Sequence, residues 1–154
     1  MPRLKLPSHS QQTNLGYCLP ACCQMALGQL GIDTTQAHLA QTLGTRAGIG
    51  TPFSHIKRLK HGSVKIEVTE WTTIEALESA LETETAVIVA VLTTPGLPGW
   101  GDIRTQHTVL VASVELNQIT YYDPALADGP VSAVRGEFLL AWSEMAELTA
   151  FLRG

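Results

Sequence analysis

Apolar positions recur at helical spacing in the first third of the chain and at strand spacing over most of the rest. From Tyr17 or Cys18 the spacing predicts a helix to about Leu30, with Ala21, Met25 and Gly28 or Leu30 at helical spacing and Gly31 as its stop. Pro20 falls in the first turn, where a missing N–H costs nothing. Asp33-Thr34-Thr35 offers caps for a second helix over Ala37–Leu43, and a third is expected from Thr51 or Pro52 to about Lys60. The opening ten residues read as irregular or as one edge strand. Val64–Val68 alternates apolar and polar residues, the pattern of a half-buried strand. Thr72 or Thr73 then caps a short helix to about Leu81, with Glu75 in its first turn. Ala86–Leu92 is a β-branched run too apolar to alternate and is expected as a central strand. His107–Val114 and Gln118–Tyr122 form a predicted hairpin around Glu115-Leu116-Asn117. Val131–Val134 is a further strand, Gly136–Met145 a short helix, and Leu148–Leu152 a closing edge strand. The expected fold is α+β: N-terminal helices packed on a mostly antiparallel C-terminal sheet, one domain over residues 1–154.

Composition narrows what such a fold does. Among 154 residues, 45% are apolar and 16% charged, enough to build a core. Ten Lys plus Arg against fourteen Asp plus Glu leave a net charge of −4, which offers no basic footprint for nucleic acid or anionic lipid. The longest apolar run, Ala86–Leu92, is far short of the roughly 20 residues that span a bilayer. Prolines at positions 2 and 7 break the opening segment before any signal-peptide-like apolar region develops, so a cytoplasmic location is expected.

The cysteines change the picture most. All three, Cys18, Cys22 and Cys23, lie within six residues, so they cannot form a disulfide framework joining distant segments. No Cys-x-x-Cys pair exists for zinc, and neither a metal nor an organic cofactor is expected. A free cysteine is most often a small buried hydrophobe. Cys18, however, opens the first predicted helix, where the dipole favours a thiolate, whereas Cys22 and Cys23 lie at or past the end of that turn. Its backbone N–H is one donor for a developing oxyanion, and either Gln11 or Gln12 stands close enough upstream to supply a second. Five histidines are available, and His107 opens a strand expected in the interior, where a titratable group needs a reason. Across the predicted hairpin Asp123 reaches the same end of the sheet, placed to orient the imidazole, although an Asp before Pro is also an ordinary turn. The loop Thr93–Gln106, with two prolines, three glycines and Trp100, is either a surface excursion or a functional element over the cleft.

Taken in order, the segment Gln12-Thr13-Asn14-Leu15-Gly16-Tyr17-Cys18-Leu19-Pro20-Ala21-Cys22-Cys23 resembles the active-site helix of papain-like cysteine peptidases, in particular the bacteriocin-processing, double-glycine-leader family and its stand-alone relatives. His107-Thr108-Val109-Leu110-Val111, Tyr121-Tyr122-Asp123-Pro124 and the Phe138–Trp142 segment are similar to that family's histidine strand, Asp-Pro and closing element. The resemblance implies a papain-like fold, a Cys18–His107–Asp123 triad, and Gln12 rather than Gln11 at the oxyanion. It implies a peptide or protein substrate and hydrolysis through a thioester. Leu19 stands where many members have Gly and is expected, with Trp100, at the substrate cleft. Family members are often fused to a transporter with an ATPase. This sequence has neither span nor nucleotide loop, so association with a separate transporter or larger system is the implied partnership. The same triad serves a deamidase or acyltransferase, and a catalytically silent peptide-binding module is the alternative of another class.

Overall fold

The computed structural model describes residues 4–154. The first three residues of the opening segment, expected irregular or as an edge strand, lie outside the described residues. Residues 4–10 are irregular. Helix α1 runs Cys18–Gln29 and helix α2 Gln36–Leu43, where the Thr35 side chain accepts the His38 N–H as N-cap and Gly44 closes the helix at φ 71°. The third expected helix is a single 3₁₀ segment, Phe53–Arg58. Pro52 before it and an extended Leu59 after it confine it to that length. Helix α3, Ile74–Glu82, is capped by Thr73, whose side chain accepts the Ala76 N–H. Helix α4 spans Arg135–Ser143.

Six strands form one sheet: β1 Lys65–Thr69, β2 Ala86–Leu92, β3 Gln106–Val114, β4 Gln118–Tyr122, β5 Val131–Val134 and β6 Thr149–Arg153. Their order is β1-β6-β2-β3-β4-β5, with every neighbour antiparallel. The α+β expectation, with N-terminal helices packed on an antiparallel sheet, holds, and the position of the last strand is corrected. The expected closing edge strand is interior: β6 lies between β1 and β2. Its residues alternate between the two cores, Ala150 and Leu152 to one side and Phe151 to the other, which an edge position would leave half uncovered. Helices cover both faces of the sheet. α1, α2 and the 3₁₀ segment cover the face carrying Ile88, Leu110, Ala150 and Leu152. α3 and α4 cover the other, packing Leu77, Phe138 and Trp142 on Val87, Val89, Val109 and Phe151. A strand buried from both sides has no polar face to show, which explains the unbroken Ala86–Leu92 run.

The β3–β4 register pairs Val114 with Ile119 and Ser113 with Thr120, then shifts by one at a bulge so that Val111 pairs with Tyr121 and Leu110 with Tyr122. Asp123 follows β4 directly, at the end of the sheet where β3 opens with Gln106 and His107.

Candidate functional site

Cys18 is the first residue of α1. The turn before it is set by Gly16 at φ 84° and by the Tyr17 N–H bonding to Asn14 O at 3.2 Å. The N-cap Tyr17 makes no side-chain hydrogen bond and no acidic residue stands in the first turn, so the helix presents an uncompensated positive end to the thiol. Cys18 is half-buried, whereas Cys22 and Cys23 are sealed in the core. Burial pushes both inner thiols far up, helped by the charge on Cys18, so they stay protonated. For Cys18 itself burial also works upward, yet the neighbouring His107 and Thr108 outweigh it and hold the thiol below its ordinary value.

His107 is only 6% exposed on β3, and its Nε2–H donates to Asp123 Oδ1 at 2.6 Å. That bond leaves Nδ1 as the ring nitrogen available to Cys18. Burial alone lowers the imidazole's pKa, but Asp123 and then Cys18 raise it to about 9. Asp123, 1% exposed, accepts three donors: His107, the Ala125 N–H at 2.8 Å on Oδ1, and the Trp100 indole N–H at 2.8 Å on Oδ2. Burial pushes its carboxyl up, and His107, Trp100 and Ala125 together bring it below the ordinary range. The Trp100 ring also packs on the His107 imidazole, centroids 4.7 Å apart. The Thr93–Gln106 loop is thus anchored through its tryptophan, and its base is tied by the Thr93 hydroxyl donating to Ile103 O at 2.8 Å.

Cys18, His107, Trp100 and Gln12 line one cleft of ≈ 860 Å³ between the helical side and the end of the sheet. The Gln12 N–H donates to Pro124 O at 2.7 Å, so the Asp123-Pro124 corner places both groups at once. One hydrogen of the Gln12 side-chain amide is committed to Asn14 O at 3.1 Å, and the other is free for a ligand. Gln11 also lines the cleft, its Nε2 donating to Ala125 O at 3.5 Å. Leu19 corrects an expectation. It is 1% exposed in the core between α1 and the sheet, because the residue after Cys18 turns inward on the helix, and it does not line the cleft.

Sequence reasoning missed several contributors. Gln36, almost fully buried, accepts the Thr13 N–H at 2.9 Å and donates to Gln11 O at 2.9 Å and Gln24 Oε1 at 3.0 Å, clamping the chain on both sides of Gln12. A buried amide near a helix start carries no signature that separates it from a surface glutamine. Gly48-Ile49-Gly50 forms the facing wall, pinned by the Gly48 N–H on Leu15 O at 2.7 Å. The paired glycines were its legible signal. This wall sits directly on Gly16, where an added Cβ would stand 2.9 Å from Gly50 N and 3.1 Å from Arg46 O. Gly16→Ala, strained in φ and clashing with backbone, is expected to cost roughly 2–4 kcal/mol in urea unfolding. A loss under about 0.5 kcal/mol would contradict that packing. Among the described residues no group of three His, Cys, Asp or Glu is arranged to hold a metal ion, and no helix is long and apolar enough to cross a membrane.

Comparisons with known proteins agree with this architecture. A C39-like peptidase structure from Bacillus anthracis superposes with a TM-score of 0.75 at 17% identity, covering 100% of this chain and 98% of that one. The peptidase domain of Streptococcus ComA, a bifunctional ABC transporter in a quorum-sensing pathway, superposes with a TM-score of 0.72 at 19% identity, covering 94% and 96%. At these identities the likeness is one of fold. No curated relative matches the chain by sequence. The model of the Peptidase_C39-like family matches residues 3–150, nearly the full length, and the chain belongs to that family.

Proposed function

We propose that residues 1–154 act as one cysteine peptidase domain that cleaves a peptide bond through a thioester. The observation that carries this reading is the buried 2.6 Å His107–Asp123 pair beside a thiol at an uncapped helix start, in one cleft. Cys18, as thiolate, attacks the carbonyl carbon. The oxyanion is met by the Cys18 backbone N–H and the free hydrogen of the Gln12 amide. His107 Nδ1 delivers its proton to the leaving amine, then takes one from the water that hydrolyses the thioester. Asp123 holds the ring in orientation, and Trp100 holds Asp123 while covering one face of the imidazole.

The occupant this cleft suits is a polypeptide. Exposed Leu15, Ile49 and Ile103 line it, apolar contacts left open for apolar side chains. Among the described residues that line it, His107 is the only titratable base, which suits a peptide recognised by shape and apolar contact. We place the substrate among leader-bearing precursor peptides, delivered in the cytoplasm by association with a transport system. Three free thiols fit that reducing compartment.

A positional library of fluorogenic peptides, assayed with and without EDTA, tests the reading. Cleavage insensitive to EDTA and abolished by iodoacetamide is expected. A peptide bound tightly by the native protein and never cut would replace it with a binding module. Gln12→Ala is expected to lower kcat by about 10²- to 10³-fold with little change in KM, the pattern of a donor used in the transition state. An unchanged kcat would remove Gln12 from the oxyanion site.

A further inference from the structure

The net charge of −4 averages over an uneven distribution. Between Asp33 and Glu67 the chain has no acidic residue, yet Arg46, Lys57, Arg58, Lys60 and Lys65 fall in that interval. Lys65 belongs elsewhere: Ile66 and Val68 of β1 pack on the α1 side, so alternation turns Lys65 to the other face of the sheet. The other four are exposed, in the Arg46–Gly50 bridge and in the 3₁₀ segment with its exit. Ile56, fully buried, anchors that segment and leaves Lys57 and Arg58 outward. A Cβ on Gly44 would stand 2.8 Å from the Arg58 guanidinium, which sets Arg58 against the turn that leads into Arg46. Among the described residues the ion pairs join His107 to Asp123, Arg135 to Glu78 and Arg153 to Glu67, and none engages these four cations. Arg58 has local work, donating to His55 Nε2 at 3.3 Å while the His55 Nδ1–H donates to Leu43 O at 2.8 Å. The acids gather on the far side, where α3 carries Glu75, Glu78 and Glu82 over the opposite face of the sheet.

A single exposed lysine is usually just solvated, so position decides whether the cluster has a use. Gly48 to Phe53 line one wall of the cleft, and Arg46 and Lys57 stand at either end of that stretch. The opposite rim carries Asp102 and Arg104 on either side of Ile103, one charge of each sign. A polypeptide leaving the cleft over the Gly48–Phe53 side therefore meets positive charge alone. We propose that this basic ledge holds an acidic stretch of the substrate polypeptide, outside the residues gripped in the cleft. It rests on the peptidase reading for the occupant being a substrate. The two surfaces divide the recognition: the apolar cleft sets which residues lie at Cys18, and the ledge sets which chains arrive there. Exposed charge acts chiefly on encounter and on discrimination between partners, and it is screened by salt. A peptide suits the ledge better than a membrane does, because the cations border the cleft on a molecule whose net charge repels anionic lipid.

Short fluorescein-labelled peptides, an apolar half of Leu and Ile joined in either order to a run of glutamates, glutamines or lysines, probe the ledge by anisotropy. Cys18→Ala protein is used so that no turnover intervenes. The glutamate version is expected to bind about 10- to 100-fold tighter than the glutamine version at about 50 mM salt, and the preference should all but vanish at about 0.5 M. Adding Lys57→Glu and Lys60→Glu together should remove the preference while the glutamine version binds as before. Both side chains are exposed, so the urea midpoint should not move. Equal affinity for the glutamate and glutamine versions overturns the inference, and so does a preference that survives the double reversal. Phosphatidylserine vesicles held by the Cys18→Ala protein and released by the double reversal, with no peptide preference, would make the ledge a membrane contact instead. Hydrolysis by the native protein with no gain from added glutamates sinks this inference and spares the peptidase reading. A glutamate preference with no hydrolysis anywhere in the positional library does the reverse, leaving the ledge as part of a peptide-binding module.

Discussion

Cys18→Ala is expected to abolish peptide hydrolysis while leaving the fold intact. Removing the nucleophile of a unit that acts together costs roughly a millionfold in kcat, about 8 kcal/mol of transition-state stabilisation. Cys18 is half-buried at the start of α1, and alanine keeps the helix. Its unfolding free energy should therefore change by less than about 1 kcal/mol. Binding should survive, because the cleft walls at Gly48–Gly50 and Trp100 do not depend on the sulfur. Peptide turnover by Cys18→Ala within tenfold of the native rate would rule Cys18 out as the nucleophile. Loss of Cys22 or Cys23 instead should act through packing, since both side chains fill the core against Leu27, Ile88 and Leu110.

Asp123→Asn separates two roles of one carboxylate. Asp123 only accepts: His107 and Ala125 donate to Oδ1 and Trp100 to Oδ2. An asparagine has one accepting atom and one donating group. With its oxygen toward His107 it keeps the imidazole oriented and turns an NH₂ against the Trp100 indole N–H. Some hydrolysis should therefore remain, about 10²- to 10⁴-fold below native in kcat, with a stability loss of about 1–3 kcal/mol from the buried donor–donor contact. A carboxyl held below its unfolded value of about 3.9 contributes stability above that pH, and the contribution is lost as pH falls through the folded value. His107 has the other sign: raised to about 9, it contributes fully below its unfolded value of about 6.5, and the contribution is lost as pH rises through about 9. Cys18, lowered, contributes above its unfolded value and loses that as pH falls, which offsets His107 near neutrality. The stability gap between native protein and Asp123→Asn should be widest at about pH 5–6 and narrow below about pH 4. A gap constant down to pH 2 would mean that the carboxylate is not the charged partner of the imidazole.

Much of this was legible along the chain because local chemistry decides it. Thr35 and Thr73 cap the helices they precede, and the Ala86–Leu92 run announces a strand buried on both faces. The His107–Val114 and Gln118–Tyr122 pairing follows from alternation, and it brings His107 and Asp123 to one end of the sheet. What was not legible is non-local. Strand order is absent from a linear pattern, so β6 read as an edge because it comes last. The bulge between Val111 and Ser113, which shifts the β3–β4 register by one, has no strong residue signal. Leu19 is expected at the cleft because it stands where many family members have Gly, but one step along a helix from Cys18 is a rotation of about 100° and carries it into the core. Gln36 and Thr108 are ordinary polar residues in sequence, and only burial marks them.

The central claim is that Cys18 stands as a thiolate supported by His107, and selective alkylation of the folded native protein tests it most directly. Brief iodoacetamide treatment at about pH 6, more than two units below an ordinary thiol pKa, followed by mass mapping, should place the label on Cys18 and leave Cys22 and Cys23 unmodified. Labelling of Cys18 that is no faster than that of its neighbours, or that sets in only as pH approaches about 8.5, would contradict the claim.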